Sequence, residues 1–384
     1  MRKSILRKFS LVMAAMIFIA CLLTGCGAKA PEADTEAPKI GNLKYEGQMD
    51  LVYATTFDVY YYEGGYALIR IYEDNDYLII PEGGKVPDGI DESITVLQKP
   101  VRNIYLAATS AMALFDAIDA VDSITLSGTQ ASGWYIDAAV EALNDGRMTY
   151  AGKYSQPDYE TLIKGGCQLA IESTMIYHTP KVKEMIEDLG IPVMVDRSSN
   201  ESNPLGRSEW VKLYGVLTGK DAEAEEFFQG QIDLIKDLEG FENTEKTIVY
   251  FYVATNGSVI IRNPKDYIPT MIEMAGGRYA FKDLQTDQTS TSISMTMEEF
   301  YNTAVKADYI IYNAAIDSPI NSVAELIGKD AIFEEFKAVK DNKVYSTGKS
   351  FYQATDIVGE MIIDMHRILT EDDPQDLTFL THVE

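Results

Sequence analysis

Side chains suited to metal, redox or nucleophilic chemistry are scarce in this sequence of 384 residues, which has three cysteines and three histidines. Met175 and His178 stand three apart in the segment ESTMIYHTP. Thioether and imidazole together are the groups that ligate haem iron or a soft metal. Such a pair also arises by chance, and His178 serves equally well as the cap of a helix starting near Thr179. A bare Zn or Mn site wants several imidazoles with carboxylates, and His366 and His382 lie near the C-terminus. No Gly-x-Ser-x-Gly, His-Glu-x-x-His or Cys-x-x-Cys occurs, so no catalytic residue and no metal ligand set is assigned. Cys167 sits in the apolar run GGCQLAIE and reads as a buried structural thiol.

The other two cysteines belong to the N-terminal leader. Arg2, Lys3, Arg7 and Lys8 precede an apolar stretch, Ile5 to Leu23, whose core is short for a membrane span of roughly 20 residues. Leu23-Thr24-Gly25-Cys26 follows and resembles the bacterial lipobox, in which the cysteine is acylated and becomes the first residue. Residues 1–25 are therefore expected to be a signal peptide and Cys26 the lipidation site. The small, polar, proline-bearing residues 26–44 read as a flexible tether. The expected location is the outer face of the cytoplasmic membrane, at a cell surface or in a periplasm.

Formal charge is −26, and loss of the four leader cations takes it to about −30. That acidity disfavours nucleic acid and anionic lipid surfaces as partners, since both need clustered Lys and Arg, and nucleic-acid binding is set aside. With Cys167 alone beyond the leader, no disulfide framework forms despite export.

Three stretches must position whatever chemistry remains. Residues 45–98 are rich in Tyr, Ile, Leu and Val alternating with polar residues. Glu63-Gly64-Gly65 and Asn75-Asp76 break the run as turns, predicting two to four antiparallel strands. From 99 to 220, short apolar runs (VRNIYLAA, SITLSG, CQLAIES, IPVMVD) alternate with helical segments at 110–120, 134–143, 159–164 and 179–189. From 242 to 384 the rhythm returns, with TIVYFYVA, DYIIYNAA and KVYSTG as strands and helices at 266–275, 297–305, 322–327, 331–339 and 356–369. Such alternation predicts βαβ units around parallel sheets. Between them, Ala224, Phe227, Phe228, Ile232, Ile235 and Leu238 recur at helical spacing, giving one long amphipathic helix over 221–241. The fold class is α/β: two Rossmann-like lobes, one linking helix and an N-terminal β-hairpin extension.

This organisation, with KPVRNIYLAATSAMALFDAIDAVDSITLSG, GKYSQPDYETLIKGGCQLAIES, ISMTMEEFYNTAVKADYIIYN and FKAVKDNKVYST, resembles the substrate-binding lipoproteins of ABC importers for iron-siderophore, haem or cobalamin. The resemblance covers roughly residues 99 to 370, and Gly166-Cys167-Gln168 departs from the Lys-Pro-Asp usual there. It implies a monomer that carries a metal chelate (ferric siderophore, haem or corrinoid) to an ABC permease dimer, with no covalent cofactor besides the lipid. It also implies two docking acids, Glu160 in the first lobe and Glu298 in the second, with Glu299 the alternative. Acids are favoured in any first helical turn, which is the plainer account of both. A single stiff helix between lobes implies small closing rotations on binding.

Ligand groups are expected on loops leaving the C-terminal ends of strands, where the lobes face each other. In the first lobe these are Thr109 and Ser110 as a helix cap, Trp134 and Tyr135, and Lys153 and Tyr154. Met175, Tyr177 and His178, then Arg197 and Arg207, complete that lobe's set. The second lobe offers Asn256, Arg262, Lys349 and Tyr352. Trp210 reads instead as packing beneath the linking helix. Cations on such loops suit a carboxylate or phosphate, and the tyrosines suit a large planar or chelated ligand. An extracytoplasmic enzyme or sensor on the same fold stands as the alternative, with no nucleophile to name for it.

Overall fold

Alternating apolar residues over 57–80 give strands with one face to bury. The computed structural model describes residues 37–286, 290–317 and 319–384, so the leader and Cys26 lie outside the described residues. Strands β1 (Tyr45–Gln48), β2 (Phe57–Tyr62), β3 (Tyr66–Ile71), β4 (Asp76–Ile80) and β5 (Thr95–Gln98) pair in that order. The first four are antiparallel, but β5 runs parallel to β4. The sequence suggested at most four antiparallel strands. The departure arises because residues 81–94, rich in Gly and Pro, carry the chain back across the sheet before β5 begins.

This extension is fastened to the first lobe by buried carboxylates. Glu209 accepts hydrogen bonds from the amides of Val52, Tyr53 and Ala54, the closest at 2.7 Å. Glu201 accepts from the amides and hydroxyls of Thr55 and Thr56 and, at 3.2 Å, from the Trp210 indole. Five successive amides thus find acceptors in acids that are themselves buried, which satisfies both partners. Trp210 is fully buried with its ring centroid 5.0 Å from that of Phe57, so it packs beneath the extension.

The first lobe holds β6 (Ile104–Leu106), β7 (Ile124–Ser127), β8 (Thr149–Tyr150), a small hairpin β9 (Gly152–Lys153) and β10 (Gln156–Pro157), β11 (Leu169–Ser173) and β12 (Val193–Asp196). Its main sheet is all parallel in the order β12-β11-β6-β7-β8. The helices are α1 (Met112–Ala117), α2 (Asp137–Asn144), α3 (Tyr159–Lys164), α4 (Pro180–Asp188), α5 (Pro204–Glu209) and α6 (Val211–Thr218). Helix α7 (Asp221–Ile235) then links the lobes and tightens into a 3₁₀ turn at Lys236–Leu238, about a turn short of the predicted span.

The second lobe carries β13 (Thr247–Val253), β14 (Val259–Arg262), β15 (Arg278–Tyr279), β16 (Ser292–Met295), β17 (Tyr309–Tyr312), β18 (Val344–Thr347) and β19 (Leu380–His382). Strands β13, β17 and β18 are parallel neighbours, with antiparallel strands at both edges. Helices α8 (Tyr267–Met274), α9 (Met297–Ala304), α10 (Val323–Lys329), α11 (Lys337–Lys340) and α12 (Val358–Thr370) cover it. The architecture is the two-lobed α/β fold with one linking helix that the sequence implied.

Candidate functional site

Loops leaving the C-terminal ends of β6, β7, β17 and β18 line an open cavity of about 500 Å³ between the lobes. Thr109 and Tyr135 come from the first lobe, Ala314, Ala315, Ile316, Asp317, Lys349, Tyr352 and Gln353 from the second. The volume lies within the range of roughly 300–1,000 Å³ usual for small-molecule sites. Tyr135 and Ile316 are more than half exposed, unusual for large apolar side chains, and leave ring and aliphatic surface for a ligand. Lys349 is exposed and carries no ion pair among the described residues. The Tyr352 hydroxyl accepts from Asn313 Nδ2 at 2.9 Å, which fixes its ring. Asp317 accepts from the Tyr312 hydroxyl and pairs with Lys329. Burial, then that bond, holds the Tyr312 hydroxyl well above the usual phenol range.

Gln353 closes one side. Its Nε2 donates to the Gly133 carbonyl at 2.8 Å and its Oε1 accepts from the Tyr135 amide at 2.9 Å, so one carboxamide pairs with first-lobe backbone as a strand would. Nearby, Ser208 Oγ donates to the Thr355 carbonyl at 2.8 Å, and the buried Arg207 guanidinium stacks 4.0 Å over the Tyr267 ring. Arg207 therefore belongs to the seam between lobes and does not line this cavity.

The cavity gathers Thr109, Tyr135, Lys349 and Tyr352 out of the predicted set. Several others go elsewhere. Trp134 is buried and its indole N–H donates to Ser127 Oγ and the Thr129 carbonyl, so it is first-lobe core. Ser110 does not cap α1: Ala111 holds that position with no side-chain bond. Arg262 is buried and grips Asp266 with both Nε and Nη2, which consumes it within its own lobe. Asn256 closes the β13–β14 turn by accepting from Ser258, and Lys153 and Tyr154 sit on the β9–β10 hairpin. Met175, Tyr177 and His178 lie exposed on the 3₁₀ turn after β11, and Thr179 rather than His178 stands at the cap of α4. Arg197 follows β12 and pairs with Glu73 of the extension. Cys167 is half-buried, donates to the Leu169 carbonyl, and burial pushes its thiol up to about 11.

Sequence reasoning missed residues 314–317 and Gln353. Ala314 and Ala315 were counted within the strand DYIIYNAA, which in fact ends at Tyr312, and only Ile316 and Asp317 follow that run, where the same loop rule would have found them; a neutral amide such as Gln353 carries no sequence signal. Among the described residues no three His, Cys, Asp or Glu side chains group as a metal site.

Both predicted docking acids are on the surface. Glu160, in the first turn of α3, is three-quarters exposed and, among the described residues, forms an ion pair only with Lys164 on the next turn. At α9, Glu299 is taken up by the reciprocal cap with Thr296, while Glu298 projects exposed beside it.

A family model described as "Periplasmic binding protein" matches residues 107–351. The chain belongs to this family. Among solved structures, the periplasmic heme-binding protein HutB of Vibrio cholerae superposes with a TM-score of 0.56 at 13 % identity, covering 71 % of this chain and 99 % of its own. A possible iron-binding, periplasmic solute-binding protein of Staphylococcus epidermidis gives 0.55 at 16 % identity, with the same coverages. An uncharacterized lipoprotein of Methanocaldococcus jannaschii is 24 % identical over 356 residues, covering 88 % of this chain and 84 % of the relative. Since 88 % of 384 is about 338, that match begins no later than about residue 47 and takes in the extension. As a periplasmic binding protein the chain carries the family's two lobes plus a sheet whose residues the match to this relative covers.

Proposed function

We propose that this chain is an extracytoplasmic, lipid-anchored binding protein that captures a metal chelate (a ferric siderophore, haem or a corrinoid) in the interlobe cavity and delivers it to an ABC permease dimer. The cavity carries the reading. It offers exposed Tyr135 and Ile316, the Tyr352 ring and the unpaired Lys349 cation, a set suited to a large, flat or chelated ligand bearing anionic groups. Solved neighbours named as heme-binding and possible iron-binding proteins share the fold. No side chain is assigned a catalytic role. Glu160 and Glu298 are the docking acids, one on each lobe, and Glu298 is preferred because Glu299 is spent in its cap. Paired charges at both ends would orient the cleft over the permease and speed encounter. Cys26 is the anchor.

Soluble protein starting after Cys26, purified from cells grown with iron, haem and cobalamin, tests this by absorption spectrum and native mass. A Soret, corrinoid or ferric charge-transfer band identifies the class. A colourless protein with no thermal shift for any of the three defeats the chelate reading. Uptake unaffected by Glu160→Lys and Glu298→Lys together defeats the docking assignment.

A further inference from the structure

The extension reaches the ligand-facing edge of the first lobe. The turn between β3 and β4 lies against the C-terminal ends of β11 and β12. There Asp74 accepts from the Val195 amide at 3.0 Å and from the Tyr77 hydroxyl at 2.7 Å. The Tyr177 hydroxyl donates to the Glu73 carbonyl at 3.3 Å. Glu73 itself is held at φ 60°, a left-handed conformation that favours glycine. Its side chain, 77 % exposed, meets Nη2 of Arg197 at 2.6 Å.

That ion pair is incomplete in a specific way. Nε and Nη2 form one edge of a guanidinium, and a carboxylate normally bridges both. Arg70 does this with Asp76, Arg262 with Asp266 and Arg367 with Glu371. In Arg197, Nη2 meets Glu73 and the guanidinium also hydrogen-bonds the Tyr177 side chain, while Nε is buried with no hydrogen-bond partner. The Arg197 side chain is only 12 % exposed, so water does not compensate freely. A buried donor beside a loosely held, solvated counter-ion is a subsite awaiting a better acceptor.

We infer that Arg197 and Tyr177 form an anion subsite at the rim of the first lobe, and that Glu73 of the extension is its displaceable placeholder. The group it takes is a carboxylate on the ligand, bridging Nε and Nη2 side-on. Exposed Met175 and Tyr177 supply apolar surface beside it. Glu73 then acts as a specificity filter: ligands lacking an anionic arm gain nothing from opening the pair. The inference rests on the reading that this protein binds a chelate.

The test uses ¹⁵N-labelled soluble protein and follows the Arg197 Nε–H signal, assigned with Arg197→Lys, during titration with iron-free citrate. Glu73→Gln removes the competitor and is expected to tighten citrate binding roughly three- to tenfold. Arg197→Lys, which keeps charge but loses the fork, is expected to weaken citrate binding at least about tenfold when read by calorimetry instead. Ferrioxamine, a hydroxamate chelate without carboxylates, should be indifferent to both changes. No saturable shift at Arg197, or citrate binding unchanged or weakened in Glu73→Gln, overturns the inference. Protein that binds haemin but gives no Arg197 response sinks only this subsite. Protein that responds at Arg197 but takes no chelate sinks only the chelate reading.

Discussion

Arg262 and Arg197 are both cations that the sequence placed on cleft loops, one in each lobe, and they are held in opposite ways. Arg262 has its counter-ion four residues on, within its own lobe, with both Asp266 oxygens engaged and both partners buried. Arg197 reaches across to the extension, where a largely exposed Glu73 touches one nitrogen. The first pair is a fixed part of the second lobe's framework; the second, on the inference above, is the one a ligand exchanges. A cation near a cleft is thus available to a ligand only when its resident partner is loose, and sequence position alone does not distinguish the two.

The comparison breaks most visibly at Asp266. Asp266→Ala leaves a buried guanidinium unpaired and is expected to cost about 3–5 kcal/mol in chemical denaturation, whereas Glu73→Ala should stay within about 1 kcal/mol. Equal losses would erase the distinction. Next comes the extension's fastening: Glu209→Gln turns a donor toward amides that need acceptors. A loss of about 2–3 kcal/mol is expected, with faster hydrogen exchange at residues 52–54. Smaller still is Gln353→Ala, which removes two interlobe hydrogen bonds. It should cost about 1 kcal/mol and widen the distribution of lobe separations in small-angle scattering.

The subtlest effect is on pH dependence. Glu172 in β11 is wholly buried with neither oxygen hydrogen-bonded, and burial pushes its carboxyl up to about 8. A raised folded value means its contribution is fully present below the ordinary carboxyl range and lost as pH rises through about 8. Glu172→Gln should therefore flatten the decline in stability across that window, measured by urea midpoints from pH 4 to 9.

Much of the frame was legible because alternation and helical spacing report burial directly: the strands at 104–106, 169–173 and 309–312 coincide with apolar runs. The parallel placement of β5 was not legible, since nothing local records which way a chain returns after residues 81–94. Four cavity residues followed from the rule that loops leave strand ends toward the cleft. The rule failed for Trp134 and Arg262 because it cannot see whether an indole N–H or a guanidinium already has a partner. The extension's anchors Glu201 and Glu209, and Glu73 at the rim, were invisible for a simpler reason. Their partners lie more than a hundred residues away, and only the folded chain brings them together.

The most direct test of the central claim is calorimetric titration of soluble protein with haemin, ferric citrate and cyanocobalamin, wild type against Tyr135→Ala combined with Lys349→Glu. Saturable binding of one chelate, weakened at least about tenfold in the double variant, is the predicted result. Binding of a chelate with affinity unchanged in that variant would place the ligand elsewhere and contradict the account.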